Sequence, residues 1–339
     1  MWEVKGLVAA VANHLGFLDS YAFLRREVTK SQVAILLYHR TCPEKGNWSL
    51  GALTPQGFEK QMEYLCRNYE MLALEELVHC IQRRKPLPRK AVVVTFDDGY
   101  RDSYLYAYPI LKRNHIPLTM FLSTGYIGSI DKLFWWDKVS YLIWHAAVKE
   151  VDLDELGSYS LQSKPDKLHA RHIITERLKK LSDQRKNLLI EKLHHISGVE
   201  IPAGLGRELI LTWDEVREMS NNGIIFGAHS VNHPVLTNLP LERAKWEIIH
   251  SKKDIEEKLG KEVTAFSYPN GDFGPELVKF IKGSGFSCAV TAGSSKLVAS
   301  KDDPYELSSI GPGEDLNKSE AMLCGLWGDF ENTLGRRSK

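Results

Sequence analysis

Cysteine is too scarce and too scattered to hold this chain together. Its 339 residues include Cys42, Cys66, Cys80, Cys288 and Cys324, an odd set with no C-x-x-C pair. That argues against a disulfide framework, a zinc clip or a redox couple, and for ordinary thiols in a reducing compartment. An excess of charge is also missing: 44 Lys and Arg stand against 43 Asp and Glu, leaving +1. No long-range field recruits nucleic acid, so recognition must be local. Long apolar runs are missing too. The N-terminal stretch from Leu7 to Ala12 ends at Asn13 and His14, too short for a signal-peptide core or a membrane span. The expectation is a cytoplasmic chain with no signal peptide and no transmembrane helix. There is no internal repeat and no low-complexity segment.

What is present is ordinary globular material, 43% apolar and 26% charged, enough for one large domain or one domain with an insertion. In residues 1–30, Val4, Leu7, Val8, Val11, Leu15 and Leu18 recur at helical spacing. This amphipathic helix either packs on the body of the protein or makes peripheral membrane contact. Beyond it, short apolar runs alternate with amphipathic segments, the order of an α/β fold with parallel strands. Strands are expected at Val33–Tyr38, Ala91–Phe96, Leu118–Leu122, Ile224–Ala228, Thr264–Tyr268, Phe286–Val290 and Leu307–Ile310, about enough to close a barrel. Thr54-Pro55 and the Thr212/Glu215 capping box mark helix starts, the second helix running to Asn222 before Gly223. From about 126 to 206 the rhythm breaks into a helical, charged, aromatic insertion. A helical hairpin over the barrel mouth is expected there, with Leu178, Leu181, Leu188, Leu189 and Leu193 along one face. The barrel then spans 31–315 and the tail 316–339.

Four strand ends carry chemistry. Ala91–Phe96 runs into Asp97-Asp98-Gly99, and adjacent carboxylates repel unless solvent or a cation accompanies them. Ile224–Ala228 runs into His229-Ser230-Val231-Asn232-His233-Pro234, where the proline keeps His233 out of a helix. Tyr268 is followed by the tight turn Pro269-Asn270-Gly271. Tyr38 is followed by His39. Each alone reads equally well as a turn or a structural histidine; together, on the C-terminal rim of a parallel barrel, they are an active-site set.

Thr95-Phe96-Asp97-Asp98-Gly99 and His229-Ser230-x-x-His233 resemble the first two motifs of the polysaccharide deacetylase family, the NodB-homology or carbohydrate esterase family 4 fold. The resemblance covers roughly 31–315 outside the insertion and implies a deformed (β/α)7 barrel. It implies that Asp98, His229 and His233 hold a divalent metal, zinc in most members with cobalt or nickel as options, and that Asp97 is the general base. Asn270 would supply a backbone N–H to the oxyanion. Tyr38, Tyr268 and Pro269, with Trp135 and Trp136, are expected to border the substrate, though Trp135, Trp136 and Trp144 suit helix packing equally. The implied reaction is removal of the N-acetyl group from an amino sugar in an N-acetylated glycan. Alternatives are another metal-dependent amidase or deformylase, or a glycan-binding protein without turnover.

Two departures from the family pattern stand out. No histidine follows His250, so the usual C-terminal acid is absent and His39 takes its place. Ser267 stands where an arginine normally orients the base, leaving Arg101 and Arg40 as candidates for that task.

Overall fold

The computed structural model describes residues 32–43, 52–293, 296–312 and 323. The expected helix within 1–30 and nearly all of the tail 316–339 lie outside the described residues.

The frame is a ring of parallel strands: β1 Gln32–Tyr38, β2 Ala91–Phe96, β3 Leu118–Leu122, β4 Ile225–Ala228, β5 Ala265–Ser267, β6 Cys288–Thr291 and β7 Leu307–Ile310. β1 pairs with β2 from Val33↔Ala91 to Tyr38↔Phe96, and on its other edge with β7 through Ile35↔Ser309 and Leu36↔Ile310. From β2 to β7 the strands neighbour one another in chain order, so the sheet closes. The expected strands therefore all form, with ends shifted by at most two residues.

The strands read as unbroken apolar runs because both faces are covered. Ala34, Leu36 and Tyr38 pack outward with Phe58, Met62 and Leu65 of α1 (Pro55–Asn68). Val33 and Ile35 turn inward, joining Val93, Phe121, Val290 and Leu307. Leu74, Leu77, Val78 and Ile81 of α2 (Leu74–Gln82) belong to that inner cluster and cap it. The outer layer continues with α3 (Tyr108–Arg113).

The insertion is richer than a helical hairpin. It contains α4 (Trp135–His145), a small antiparallel hairpin pairing Glu150–Asp152 with Ser158–Ser160, α5 (Lys164–Leu178) and α6 (Asp183–Ser197). The single expected face is interrupted at Ser182, whose Oγ accepts from the Arg185 amide and restarts the helix. Leu188 consequently points to solvent, at 56% exposed. Val139, Leu142, Ile143, Ile174, Leu178, Leu189 and Leu193 give the insertion its own core.

The ring is completed on the outside by α7 (Trp213–Asn221), α8 (Leu241–Leu259) and α9 (Pro275–Lys282). Thr212 caps α7 reciprocally with Glu215, its Oγ1 accepting from the Glu215 amide and Glu215 Oε2 from the Thr212 amide, and α1 starts on Thr54 with Pro55 in its first turn.

β4 can sit where it does only because residue 227 lacks a side chain. A Cβ there would stand 2.5 Å from the Phe121 ring and 2.9 Å from the Ala265 carbonyl. Overpacking of this kind costs about 1–3 kcal/mol. Gly227→Ala is expected to lower the urea midpoint of unfolding without altering its slope, read by circular dichroism.

Candidate metal centre

All C-terminal strand ends share one rim, and the polar residues gather there. The Asp97 amide donates to the Tyr38 carbonyl at 3.0 Å, prolonging the β1–β2 ladder by one residue. Asp98 then takes φ 75° and Gly99 φ 88°, which turns the chain sharply inward. Two strands round the ring, the His229 amide donates to the Leu122 carbonyl at the end of β3 at 3.0 Å. Ser230 (φ 64°) and His233 (φ 53°) are left-handed as well. Such strain in non-glycine residues persists only where the surroundings impose it.

The surroundings here are specific. Ser230 Oγ accepts from the His233 amide at 3.0 Å. Glu247 of α8, buried under the loop, accepts from the amides of Val231 and Asn232 at 3.0 and 2.8 Å and from Asn232 Nδ2 at 3.0 Å. Arg243 Nη2 stands 3.0 Å from the same carboxylate. The loop that spaces the two histidines is thus tied down along its length.

His233 Nε2 comes to 3.4 Å and His229 Nε2 to 3.6 Å from Asp98 Oδ1, and one potential ligand atom from each of the three residues lies within 4.8 Å of the others. Asp97 Oδ2 stands 3.6 Å from His229 Nε2. Asp98 is 3% exposed and His229 2%. His229 Nδ1 bonds the Ser267 carbonyl at 2.7 Å, which places its proton on Nδ1 and leaves Nε2 with a free lone pair.

Burial dominates the electrostatics. It pushes Asp97 up to about 6, against the pull of His39 and the Ser267 hydrogen bond. Asp98 is raised well above the carboxylate range by burial, then by Asp97 and Asp137, with Arg40 opposing. Burial lowers His229 to about 4 and His233 well below the imidazole range. Both imidazoles are therefore neutral, and two adjacent carboxylates each keep a buried Oδ1 without a hydrogen-bond partner. A divalent cation answers both conditions, since it takes neutral nitrogen lone pairs and offsets the cost of buried negative charge. Three protein ligands of N and O type suit a catalytic rather than a structural ion.

The other expected site residues divide. His39 and Asn270 both face solvent. The protein packed around His39 lowers its pKa and outweighs the pull of Asp97, with His229 adding to the lowering. A cleft of about 120 Å³ runs from His233 past Asn270 and Trp135 to Asp183 and Lys186 of the insertion. Tyr38, Tyr268 and Pro269 do not border it. Tyr38 is packed between Phe58 and Phe96 with its hydroxyl on Gln61 Oε1, Pro269 is buried, and Tyr268 is buried with its hydroxyl on the Tyr305 carbonyl. Trp136 turns its indole N–H to the Tyr100 hydroxyl and its ring to His233, and does not line this cleft. Neither arginine holds Asp97: Arg40 pairs with Asp102 and Arg101 with Glu215, both at 2.7 Å. His250 stacks on Trp246 along α8 and takes no part.

Residues 84–289 match the polysaccharide deacetylase family. The chain belongs to that family. The family is metal-dependent and hydrolyses the amide that joins an acetyl group to a sugar amine. YxkH of Bacillus subtilis strain 168, named for the same family, is 24% identical over 80% of this chain and 68% of its own length. A poly-beta-1,6-N-acetyl-D-glucosamine N-deacetylase of Staphylococcus epidermidis is 28% identical over 52% of this chain and 60% of its own. The fold matches IcaB from Ammonifex degensii with a TM-score of 0.60 at 20% identity, covering 88% of this chain and 98% of that one. It likewise matches the Streptococcus pyogenes deacetylase PplD, solved with acetate, with a TM-score of 0.57 at 21% identity, covering 87% and 98%.

Ser267, which the family resemblance places where an arginine is expected, also contacts Asp97. Ser267 Oγ donates to Asp97 Oδ2 at 2.9 Å, so the residue that looked like a loss makes a direct hydrogen bond to the carboxylate. The Glu247 contact with the histidine loop was likewise invisible in sequence, because nothing local marks one glutamate of an amphipathic helix as an anchor for a loop behind it. A hydrogen bond to a charged group contributes about 1.5–3 kcal/mol. Ser267→Ala is therefore expected to lower kcat by about 10- to 100-fold with little change in metal content, checked by steady-state turnover and metal analysis.

Proposed function

We propose that this chain is an N-deacetylase in which Asp98, His229 and His233 hold zinc, Asp97 is the general base and His39 the general acid. The observation that carries the reading is the convergence of one carboxylate and two neutral imidazoles within 4.8 Å, with a second, serine-held carboxylate beside them. When bound, the ion supplies Lewis acidity to a water and to the acetyl carbonyl; cobalt or nickel would serve the same donor set.

The chain's own residues do the rest. Asp97 Oδ2 is committed to Ser267, so Oδ1 accepts the proton of the attacking water. The Asn270 backbone, at φ 59° in its turn and open to the cleft, presents its N–H to the oxygen on which charge develops. His39 then gives a proton to the departing sugar nitrogen, because an amide anion is too poor a leaving group; its lowered pKa makes the imidazolium a stronger donor. The carbon–nitrogen bond breaks and acetate and a free amine result.

Trp135 is half-buried with Lys186 Nζ lying 5.1 Å from its ring centre, and Asp183 shares the cleft. A flat apolar face beside a carboxylate suits a pyranose, which stacks by its C–H face and hydrogen-bonds by its rim. The relatives' names support an oligomer of N-acetylglucosamine as the first substrate to assay.

The zinc-loaded chain is expected to release acetate from short N-acetylglucosamine oligomers, to lose this on chelation and to recover it with zinc. Asp97→Asn should reduce kcat by about 10²- to 10⁴-fold. Formate release from an N-formyl substrate without acetate release would instead make it a deformylase. Tight oligomer binding without acetate release, in zinc, cobalt or nickel, would reject catalysis altogether. His39→Ala should lower turnover most at acidic pH, where the wild-type imidazole carries its proton, with the difference closing as pH rises; turnover within twofold of wild type at every pH would remove His39 from the acid role.

A further inference from the structure

A set of buried ionisable side chains lies next to the centre and has no part in the proposed reaction. Arg40 Nε donates to Asp102 Oδ2 at 2.7 Å, and Arg40 Nη1 stands 3.7 Å from Asp137 Oδ1. The Arg40 guanidinium lies over the Tyr100 ring, 4.5 Å from its centre. Tyr100 donates its hydroxyl proton to Asp137 Oδ2 at 2.7 Å and accepts from Trp136 Nε1, also at 2.7 Å. The Trp136 ring then meets His233 edge-to-face with centroids 4.7 Å apart, and Phe134 stacks on Trp136 at 4.6 Å and meets His233 edge-on at 5.9 Å.

Taking these charges out of water is costly, and burial pushes Asp137 up to about 6 despite Arg40 and the Tyr100 hydrogen bond. Anchoring α4 does not require it, because Val139, Leu142 and Ile143 already hold that helix in the insertion's apolar core.

The two histidines differ in what orients them. His229 is fixed through Nδ1 by the Ser267 carbonyl. His233 Nδ1 is buried without any hydrogen-bond partner, although a ligating imidazole is ordinarily set by a hydrogen bond at its second nitrogen. What fixes the plane of His233 is the aromatic wall formed by Trp136 and Phe134, and what fixes Trp136 is its hydrogen bond to Tyr100.

We infer that Asp137 is a positioning residue for the metal, acting through Tyr100 and Trp136 to set the plane of the ligand His233. The insertion is then part of the metal centre itself, since α4 carries both Trp136 and Asp137. The inference rests on the metal reading proposed above.

Cobalt(II) tests it directly, with affinity measured by competition against a chromophoric chelator and geometry read from the d–d absorption of the loaded full-length chain. Trp136→Phe keeps an aromatic edge but deletes the N–H; Tyr100→Phe keeps the ring but deletes the hydroxyl. Both are expected to weaken cobalt binding by about 10- to 100-fold, the range for partners that orient metal ligands, and to shift the d–d bands while the metal-free chain still melts cooperatively. Two variants are used so that a folding failure in one leaves the other to decide. Affinity within twofold of wild type and unchanged d–d bands in a folded variant would overturn the relay. A wild-type chain that holds no cobalt would instead overturn the metal reading beneath it.

Discussion

Everything at the rim of this barrel answers to one constraint: two neighbouring carboxylates, Asp97 and Asp98, are buried together at the end of a strand that has no other polar residue but Thr95. Left to themselves they would take up protons. The site keeps them useful by giving each a different environment. Asp97 faces a serine hydroxyl and a solvent-open histidine, whereas Asp98 faces two uncharged imidazoles and, further off, the Arg40 charge. Identical side chains one residue apart thereby acquire different environments, which the proposed reading uses for separate roles, one to move a proton and one to ligate.

The barrel makes this possible by returning every strand end to the same side. Most of that frame was legible in sequence, because strands covered on both faces appear as uninterrupted apolar runs and their polar ends then stand out. The residues gathered at the rim were legible for the same reason, and the family motifs named their parts. Tyr38 was expected to border the substrate. Yet Ala34, Leu36 and Tyr38 occupy alternate positions of one strand, and that period alone assigns Tyr38 to the face that meets α1.

Other features left no such trace. Ser267 reaches a carboxylate 170 residues earlier, a distance no local pattern spans. Glu247 sits on a helix whose other buried positions are apolar or small, so its polarity looks like an ordinary exposed site until the loop above it is seen. The insertion was recognisable as foreign to the barrel rhythm, but its later helices are set apart by two capping serines, Ser163 and Ser182. Its aromatic residues, expected to meet sugar, are shared between two tasks. Trp135 borders the cleft and Trp136 leans on His233.

The ring of strands is not uniformly stitched. β4 and β5 are paired through the single register Phe266↔Ala228, whereas β1 and β2 run together for six residues. The bond from His229 Nδ1 to the Ser267 carbonyl crosses that same thin seam. The imidazole that the proposed reading offers to a metal on one side is thus a rivet of the barrel on the other. The bond that aims the ring is at this edge also a bond that closes the sheet.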